Sequence, residues 1–229
     1  MRNPNRCLLL ALLLSPLLAH AGLSAQWRFN EGTGTTAADV TGVHAGALIT
    51  GATWGAAKFG ASALSCPGGG SDYVDIATPV NIANTSFSVL VWIFPTSNAA
   101  AQDVAGIHNA GSTQNSVHAR INANGSVTLG YFGNDLPTSS TGLITFSAWN
   151  HVVWTYNSTT DTSKIYVNAV EQASGAQGPM LNAPTGQRFC VSFLGAASYS
   201  GRIDEAMMLS HAASPAEVMA HLLHRPRYR

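Results

Sequence analysis

The run Phe87-Ser88-Val89-Leu90-Val91-Trp92-Ile93-Phe94 ends on Pro95, and that pattern, β-branched and aromatic residues stopped by a turn residue, repeats along the chain. Proline cannot donate to a sheet ladder, so such a stop marks the end of a strand. Gln26-Trp27-Arg28-Phe29 and Tyr73-Val74-Asp75-Ile76 alternate apolar with polar residues, the period of a strand with one buried face. Val117 to Ile121 and Val127 to Phe132 are separated by Asn122-Ala123-Asn124-Gly125. Asn-Gly between alternating runs is a strong hairpin signal. His151 to Tyr156, Lys164 to Val167, Phe189 to Leu194 and Gly201 to Leu209 complete the series. Short strands at turn-punctuated spacing predict an all-β fold, two antiparallel sheets packed as a sandwich. One segment departs from the pattern. Ser214-Pro215-Ala216-Glu217 places a capping serine, a proline at the first helical position and a glutamate three residues after the cap. Val218, Met219, Leu222 and Leu223 then predict one apolar face on a short C-terminal helix.

The N-terminal residues read as a targeting segment. Arg2 and Arg6 precede an apolar run from Leu8 to Leu18, and Ala19-His20-Ala21 supplies a small-x-small cleavage site. Residues 1–21 are therefore expected to be a signal peptide cut before Gly22. The run is shorter than the roughly 20 residues a spanning helix needs, and Cys7 precedes it where a lipoprotein cysteine would follow. The expectation is a secreted protein, extracellular or periplasmic, with no membrane span after cleavage. Residues 22–224 are expected to form one domain and 225–229 a basic tail, with Arg225, Arg227 and Arg229 as a solvated end. With 46% hydrophobic residues the chain can bury a sizeable core. Eleven basic and eleven acidic residues balance, and loss of Arg2 and Arg6 leaves −2 with no basic stripe, which argues against nucleic acid as a partner. Cys66 and Cys190 remain after cleavage. They form a possible disulfide in an oxidising compartment, or two buried thiols; the sequence leaves both open.

Five segments, taken in order, carry a family resemblance. AQWRFNEGTGTTAADVTGVHAGAL (25–48) resembles the opening of laminin-G-like jelly-roll domains of the concanavalin A-like lectin/glucanase group. FGASALSCPGGGSDYVDI (59–76) resembles the next two strands of that family, and SFSVLVWIFPT (86–96) its long Trp-bearing strand. AWNHVVWTYNSTTDTSKIYVNAV (148–170) is similar to its Trp-x-His-Val hairpin, and YSGRIDEAMMLSHAASPAEVMAHL (199–222) to its closing strand and terminal helix. Two turns depart from the family pattern: Asn168-Ala169 stands where Asp-Gly is usual, and Ser65-Cys66-Pro67-Gly68 where Phe-Asp-Gly is usual. The resemblance implies a two-sheet antiparallel jelly-roll sandwich with a short C-terminal helix. It also implies a structural calcium ion held by Asp39 and Asp204, with carbonyls near Thr41 to His44 completing the shell. The competing reading has Asp39 capping its own turn and Asp204 pairing with a donor such as Arg202.

Catalytic patterns are missing. Jelly-roll glucanases carry Glu-x-Asp-x-x-Glu on one strand, and this chain has no such run. Asp204 and Glu205 are adjacent, which on a regular strand sends them to opposite faces. Gly-x-Ser-x-Gly and His-Glu-x-x-His are absent, and Gly68-Gly69-Gly70 lacks the Lys-Ser/Thr of a phosphate loop and reads as a turn. No catalytic residue is expected. The leading expectation is a non-catalytic domain that recognises carbohydrate or glycan through its loops. The alternative is an extracellular protein–protein interaction or structural surface protein, with a glycoside hydrolase third. Trp27, Trp92 and Trp154 alternate with apolar neighbours and read as core, Trp149 reads as structural, and His151 as a strand histidine. No ligand set stands out; Tyr131, Tyr199 and Asn134 are candidates as exposed loop residues. Asn84, Asn124 and Asn157 begin glycosylation acceptor patterns.

Overall fold

The computed structural model describes residues 22–109, 113–192 and 197–224. The expected signal peptide and basic tail lie outside these residues, as does the end of the run expected from Phe189 to Leu194. In chain order the first strands are β1 (Leu23–Trp27), β2 (Thr36–Ala37), β3 (Gly46–Ile49), β4 (Thr53–Gly55), β5 (Ala63–Pro67) and β6 (Tyr73–Ile76). The middle of the chain gives β7 (Phe87–Pro95), β8 (Gln102–His108), β9 (Ser116–Ile121), β10 (Val127–Gly130) and β11 (Asp135–Pro137). Then come β12 (Asn150–Asn157), β13 (Thr162–Val167), β14 (Val170–Ala176), β15 (Gly186–Phe189), β16 (Ser200–Leu209) and the helix α1 (Pro215–Leu222).

These strands form two eight-stranded sheets. One, which we call the helix-side sheet, runs β14-β13-β12-β7-β16-β5-β4, with β1 also on β16. The other, the far sheet, runs β11-β10-β9-β8-β15-β6-β3-β2. Every pair named within the sheets is antiparallel, as expected for a jelly-roll sandwich. The inner faces share one core in which Trp27, Phe29, Phe87, Trp154, Tyr156 and Phe189 are buried. Trp27 and Phe29 both meet Phe189 edge-on, at ring-centroid distances of 5.0 and 5.6 Å, a favoured aromatic geometry.

The sequence pattern and the strands differ at informative places. β1 stops at Trp27 because Phe29 takes a left-handed φ of 55°. β10 stops at Gly130, and Phe132 likewise sits at φ 48° in the loop beyond it. β8 was not apparent in the sequence, since Asp103-Val104-Ala105-Gly106 shows little β-branched or aromatic character. The hairpin at Asn122–Gly125 forms where expected, closed by the Gly125 amide on the Asn122 carbonyl and by the Asn122 amide on the Ser126 carbonyl.

Cys66 on β5 and Cys190, just after β15, form a disulfide that joins the two sheets across a separation of 124 residues. Helix α1 carries the expected capping box, Ser214 with Glu217, and the expected proline. Its apolar face is narrower than the sequence suggests. Val218 is buried, while Met219 and Leu223 are 44% and 49% exposed. His221, three residues after Val218, reaches the sheet in their place: its Nε2 lies 2.9 Å from the Glu205 carbonyl.

Candidate functional site

Alternation along β7, β12 and β16 sends one set of side chains into the sandwich core and the other onto the outer face of the helix-side sheet. Part of that outer face is covered by α1. Leu90, Val153, Tyr166, Met207 and Leu209 pack there with Ala213 and Val218 under α1. A polar group is buried beside them. His151 Nε2 lies 2.8 Å from His221 Nδ1, and burial pushes His221 down to about 4. A bulge between Asp204 and Met207, with Glu205 at φ 46°, breaks the alternation of β16. Asp204 follows core residue Ile203, and Glu205 accepts a 3.4 Å bond from Gln26, which sits between core residues Ala25 and Trp27. Both acids therefore lie on the outer face, where an unbroken strand would have separated them. Burial pushes Asp204 up to about 6 against three backbone amides. Burial, and then the neighbouring Asp204 charge, push Glu205 up to about 7.

The outer face of the far sheet is built differently. Val117, Ala119 and Ile121 of β9 point into the core, so Ser116, His118 and Arg120 point outward. Asp103 of β8 is fully buried and takes both Arg120 Nε (2.7 Å) and Arg120 Nη2 (3.2 Å). His108, His118, Arg120, Phe132 and Asp135 line a cavity of about 370 Å³ together with Thr113 and Ser192. That is within the usual size of small-ligand sites, roughly 300–1,000 Å³. The His118 ring lies flat across β10 because Gly130 is there: a Cβ at Gly130 would fall 1.8 Å from His118 Nε2. Gly186 makes the same room for His108, whose Nε2 would stand 2.5 Å from an added Cβ. His118 is only 8% exposed, and its Nε2 is buried without a hydrogen-bond partner, 3.7 Å from Asp135 Oδ2. His118 beside Asp135 holds that carboxyl below its usual range despite burial, helped by the Tyr131 amide and Arg120. Phe132, half-buried, adds an apolar wall.

The residues singled out in the sequence fall elsewhere. Five donors converge on Asp39: the amides of Gln26, Thr41, Val43 and His44, and the Thr41 hydroxyl. Burial raises its carboxyl, but these bonds outweigh burial and hold it below the ordinary value. Asp204 accepts from the amides of Lys58, Phe59 and Glu205, all within 2.9 Å; none of these donors is Arg202. Around Asp39 the loop turns its amides inward, where a calcium shell would need carbonyls, and the His44 carbonyl instead accepts Trp27 Nε1 at 2.8 Å. This donor set does not fit a cation. Asp39 also borders a shallower hollow of about 330 Å³ with Arg28, Asn30, Glu31 and Val40.

Tyr131 and Tyr199 are fully buried, so neither is the exposed loop residue expected. Tyr199 Oη donates to the Arg202 carbonyl at 2.9 Å. Asn134 is half-buried, its carbonyl accepting from Gln177. Trp27 and Trp154 belong to the shared core as expected, whereas Trp92 is buried on the helix side, stacked edge-on against Phe59 at 5.6 Å. Trp149 packs on Phe94 at 5.5 Å, with Arg202 over both rings. His118, Arg120 and Asp135 were not singled out. The usable signal was the alternation Val117-His118-Ala119-Arg120-Ile121, which sets two polar side chains on one face of a strand.

A family model described as the concanavalin A-like lectin/glucanases superfamily matches residues 68–219. Among curated proteins none matches the sequence. Solved structures share the fold at low identity. Domain 4 of AbnA, an extracellular GH43 arabinanase from Geobacillus stearothermophilus, in complex with arabinotriose, superposes with a TM-score of 0.69 at 18% identity, over 88% of this chain and 98% of that one. The receptor binding domain of botulinum neurotoxin type G gives 0.67 at 11% identity, over 90% of this chain and 52% of the toxin chain. The CBM40 of the Ruminococcus gnavus IT-sialidase, bound to α2,3 sialyllactose, gives 0.54 at 17% identity, over 61% of this chain and 84% of that one.

Proposed function

The chain belongs to the concanavalin A-like lectin/glucanases superfamily, and from that premise we propose that it is a secreted, non-catalytic domain that binds a glycan in the far-sheet cavity. The observation that carries this reading is His118. Its buried Nε2 lies 3.7 Å from the Asp135 carboxylate, too long for a good hydrogen bond, and it borders a cavity where a ligand hydroxyl can complete it. Asp135 offers acceptors and Arg120 its remaining donors, while Phe132 supplies the apolar surface that sugar C–H faces pack against. The arabinotriose and sialyllactose complexes of the structural neighbours support the class of ligand. Secretion is supported by the Cys66–Cys190 disulfide, since such bonds persist in oxidising compartments.

The placement of the acids supports binding without hydrolysis. A glycosidase needs two carboxyl groups flanking the scissile bond, roughly 5–9.5 Å apart. Among the described residues lining this cavity Asp135 is the one carboxylate, and Asp103 beneath it is fully buried and held by Arg120. Asp204 and Glu205 are buried on the opposite sheet. Retention on insoluble polysaccharides, with mass balance of soluble oligosaccharides incubated alongside, tests both halves. We expect retention with no new reducing ends. Turnover of any oligosaccharide would overturn the non-catalytic half, and failure to be retained by any glycan would overturn the binding half.

A second reading, protein recognition, is favoured by one feature: Val40 and Val43 on the loop after Asp39 are 48% and 58% exposed. Pull-down with Val40→Ser/Val43→Ser against wild type on a panel of host surface proteins tests it, with loss of a specific partner expected if the loop is the contact.

A further inference from the structure

The charges around the cavity point to a class of sugar. The strands of the far sheet carry two guanidinium groups, Arg120 and Arg188. Each is already committed. Arg120 makes two bonds to the buried Asp103 carboxylate. Arg188 Nε donates to Asp75 Oδ1 at 3.0 Å, with its guanidinium stacked over Tyr73 at 4.4 Å. Both ion pairs are therefore neutral as units. Asp135 is the surplus. Its side chain is 42% exposed at the cavity, and its nearest cationic group is His118, 3.7 Å away and charged only if protonated. At neutral pH the wall that a ligand meets is thus neutral to negative, with no uncommitted lysine or arginine among the cavity residues.

A carboxylated sugar binds well where a free guanidinium or ammonium meets it, because charge-assisted bonds are the strong ones. Here such a sugar would meet Arg120 only through the donors left over from its pair with Asp103, whose charge is already balanced, and it would stand beside Asp135, where like charges in a half-buried site repel. A neutral sugar loses nothing on that account; its hydroxyls can donate to Asp135 and close the open nitrogen of His118.

Resting on the glycan reading above, we infer that this cavity selects uncharged sugars and discriminates against uronic and sialic acids, with Asp135 as the discriminating residue. The two structural neighbours with bound sugars differ on this axis, one holding arabinotriose and the other sialyllactose.

The test uses matched ligands at pH 7.5. Affinity electrophoresis is run on arabinan, galactan, xylan and β-glucan, on fully methyl-esterified homogalacturonan against the same polymer saponified, and on lactose against sialyllactose by titration. The expected result is binding to at least one neutral glycan, and at least tenfold weaker binding to any acidic one. Asp135→Asn keeps an acceptor and deletes the charge, so it should narrow that gap by about tenfold. Acidic ligands binding as tightly as neutral ones would overturn the selectivity. An unchanged gap in Asp135→Asn would overturn the assignment to Asp135. Binding to no ligand in either set would overturn the glycan reading itself and this inference with it.

Discussion

The two sheets share one core, yet their outer faces end in opposite states. On the helix side, apolar residues of β7, β12 and β16 need a cover, and α1 with Ala213 and Val218 supplies it. The polar groups caught beneath are the buried His151, Asp204 and Glu205 and the half-buried His221, and they are mostly bonded within the protein. On the far side, β9 turns Ser116, His118 and Arg120 outward, so the outer face there is polar. Its two guanidinium groups are each paired with a carboxylate, Asp135 is left over, and glycines at 130 and 186 let two imidazoles lie against the sheet. Burying polar groups under a helix consumes their bonding capacity, while laying His118 over a glycine beside a cavity leaves its Nε2 facing a ligand. That difference is why we place the site on the far sheet.

The largest expected effect comes from cutting what ties the two sheets together. Replacing Cys66 and Cys190 with Ser removes a 124-residue loop closure, worth about 4–5 kcal/mol in the chain-entropy model. At roughly 2–4 °C per kcal/mol for a chain of this size, thermal melting should drop by about 10–20 °C. A drop of only a degree or two would mean that the sheets hold together through the core alone.

Under the helix, the expected signature is a stability that depends on pH through buried carboxyls pushed upward, the opposite direction to Asp135 on the far face. An acid whose carboxyl is raised by folding keeps a proton that the unfolded chain has released, so stability falls as pH rises between the two values. For Asp204 that interval runs from 3.8 to about 6, and for Glu205 from 4.5 to about 7. His221, pushed down from 6.5 to about 4, acts in the opposite sense and gains stability as pH rises across its interval. Above pH 6.5 only the decline from Glu205 is left among these three. Because His151 is also pushed down by burial and opposes Glu205 near pH 6.5, the comparison is made between variants: melting midpoints at pH 7, 7.5 and 8 should decline more in wild type than in Glu205→Gln. Parallel profiles in the two proteins would contradict the burial of that carboxyl.

A smaller effect sits at the β13–β14 turn. Asn168 and Ala169 both take left-handed conformations, at φ 49° and 65°, the geometry of a two-residue hairpin that prefers Asn-Gly. Ala169→Gly should stabilise by up to about 1 kcal/mol, the scale of the left-handed penalty for a non-glycine residue, less the loss of the methyl that packs beside α1. Chemical denaturation reads it directly; a net loss of stability would mean that the packing outweighs the turn strain. The smallest expected effect is none. Because amides and the Thr41 hydroxyl occupy the Asp39 oxygens, millimolar calcium against chelator should leave the melting midpoint unchanged. A calcium-dependent rise that disappears in Asp39→Asn would restore the metal site.

The architecture was legible because it rests on local signals. Alternating runs located β6, β7, β9, β12 and β16, and the Ser214–Glu217 capping box located α1. What escaped was set by pairing across the fold. β8 has weak local strand character and is held by β9 and β15 on either side. The bulge at Glu205 brings two adjacent acids to one face, which no period-2 reading foresees. The cavity joins His118 to Asp135 from β11 and Arg120 to Asp103 from β8, so only the sheet order reveals it. The glycines at 130 and 186 look like weak points in a strand until the imidazoles of the neighbouring strands are seen against them.

The most direct test of the central claim compares the two outer faces in one binding experiment. His118→Ala and Phe132→Ala alter the far-sheet cavity; Phe94→Ala and Trp149→Ala alter the aromatic pair that packs with Arg202 of the helix-side sheet. Each variant is first checked for wild-type far-ultraviolet circular dichroism and then titrated with the neutral glycan that wild type binds best. The account requires at least tenfold weaker binding for the two cavity variants and less than twofold change for the other pair. The reverse pattern, with the cavity variants binding as wild type and the Phe94 or Trp149 variant losing affinity, would contradict it.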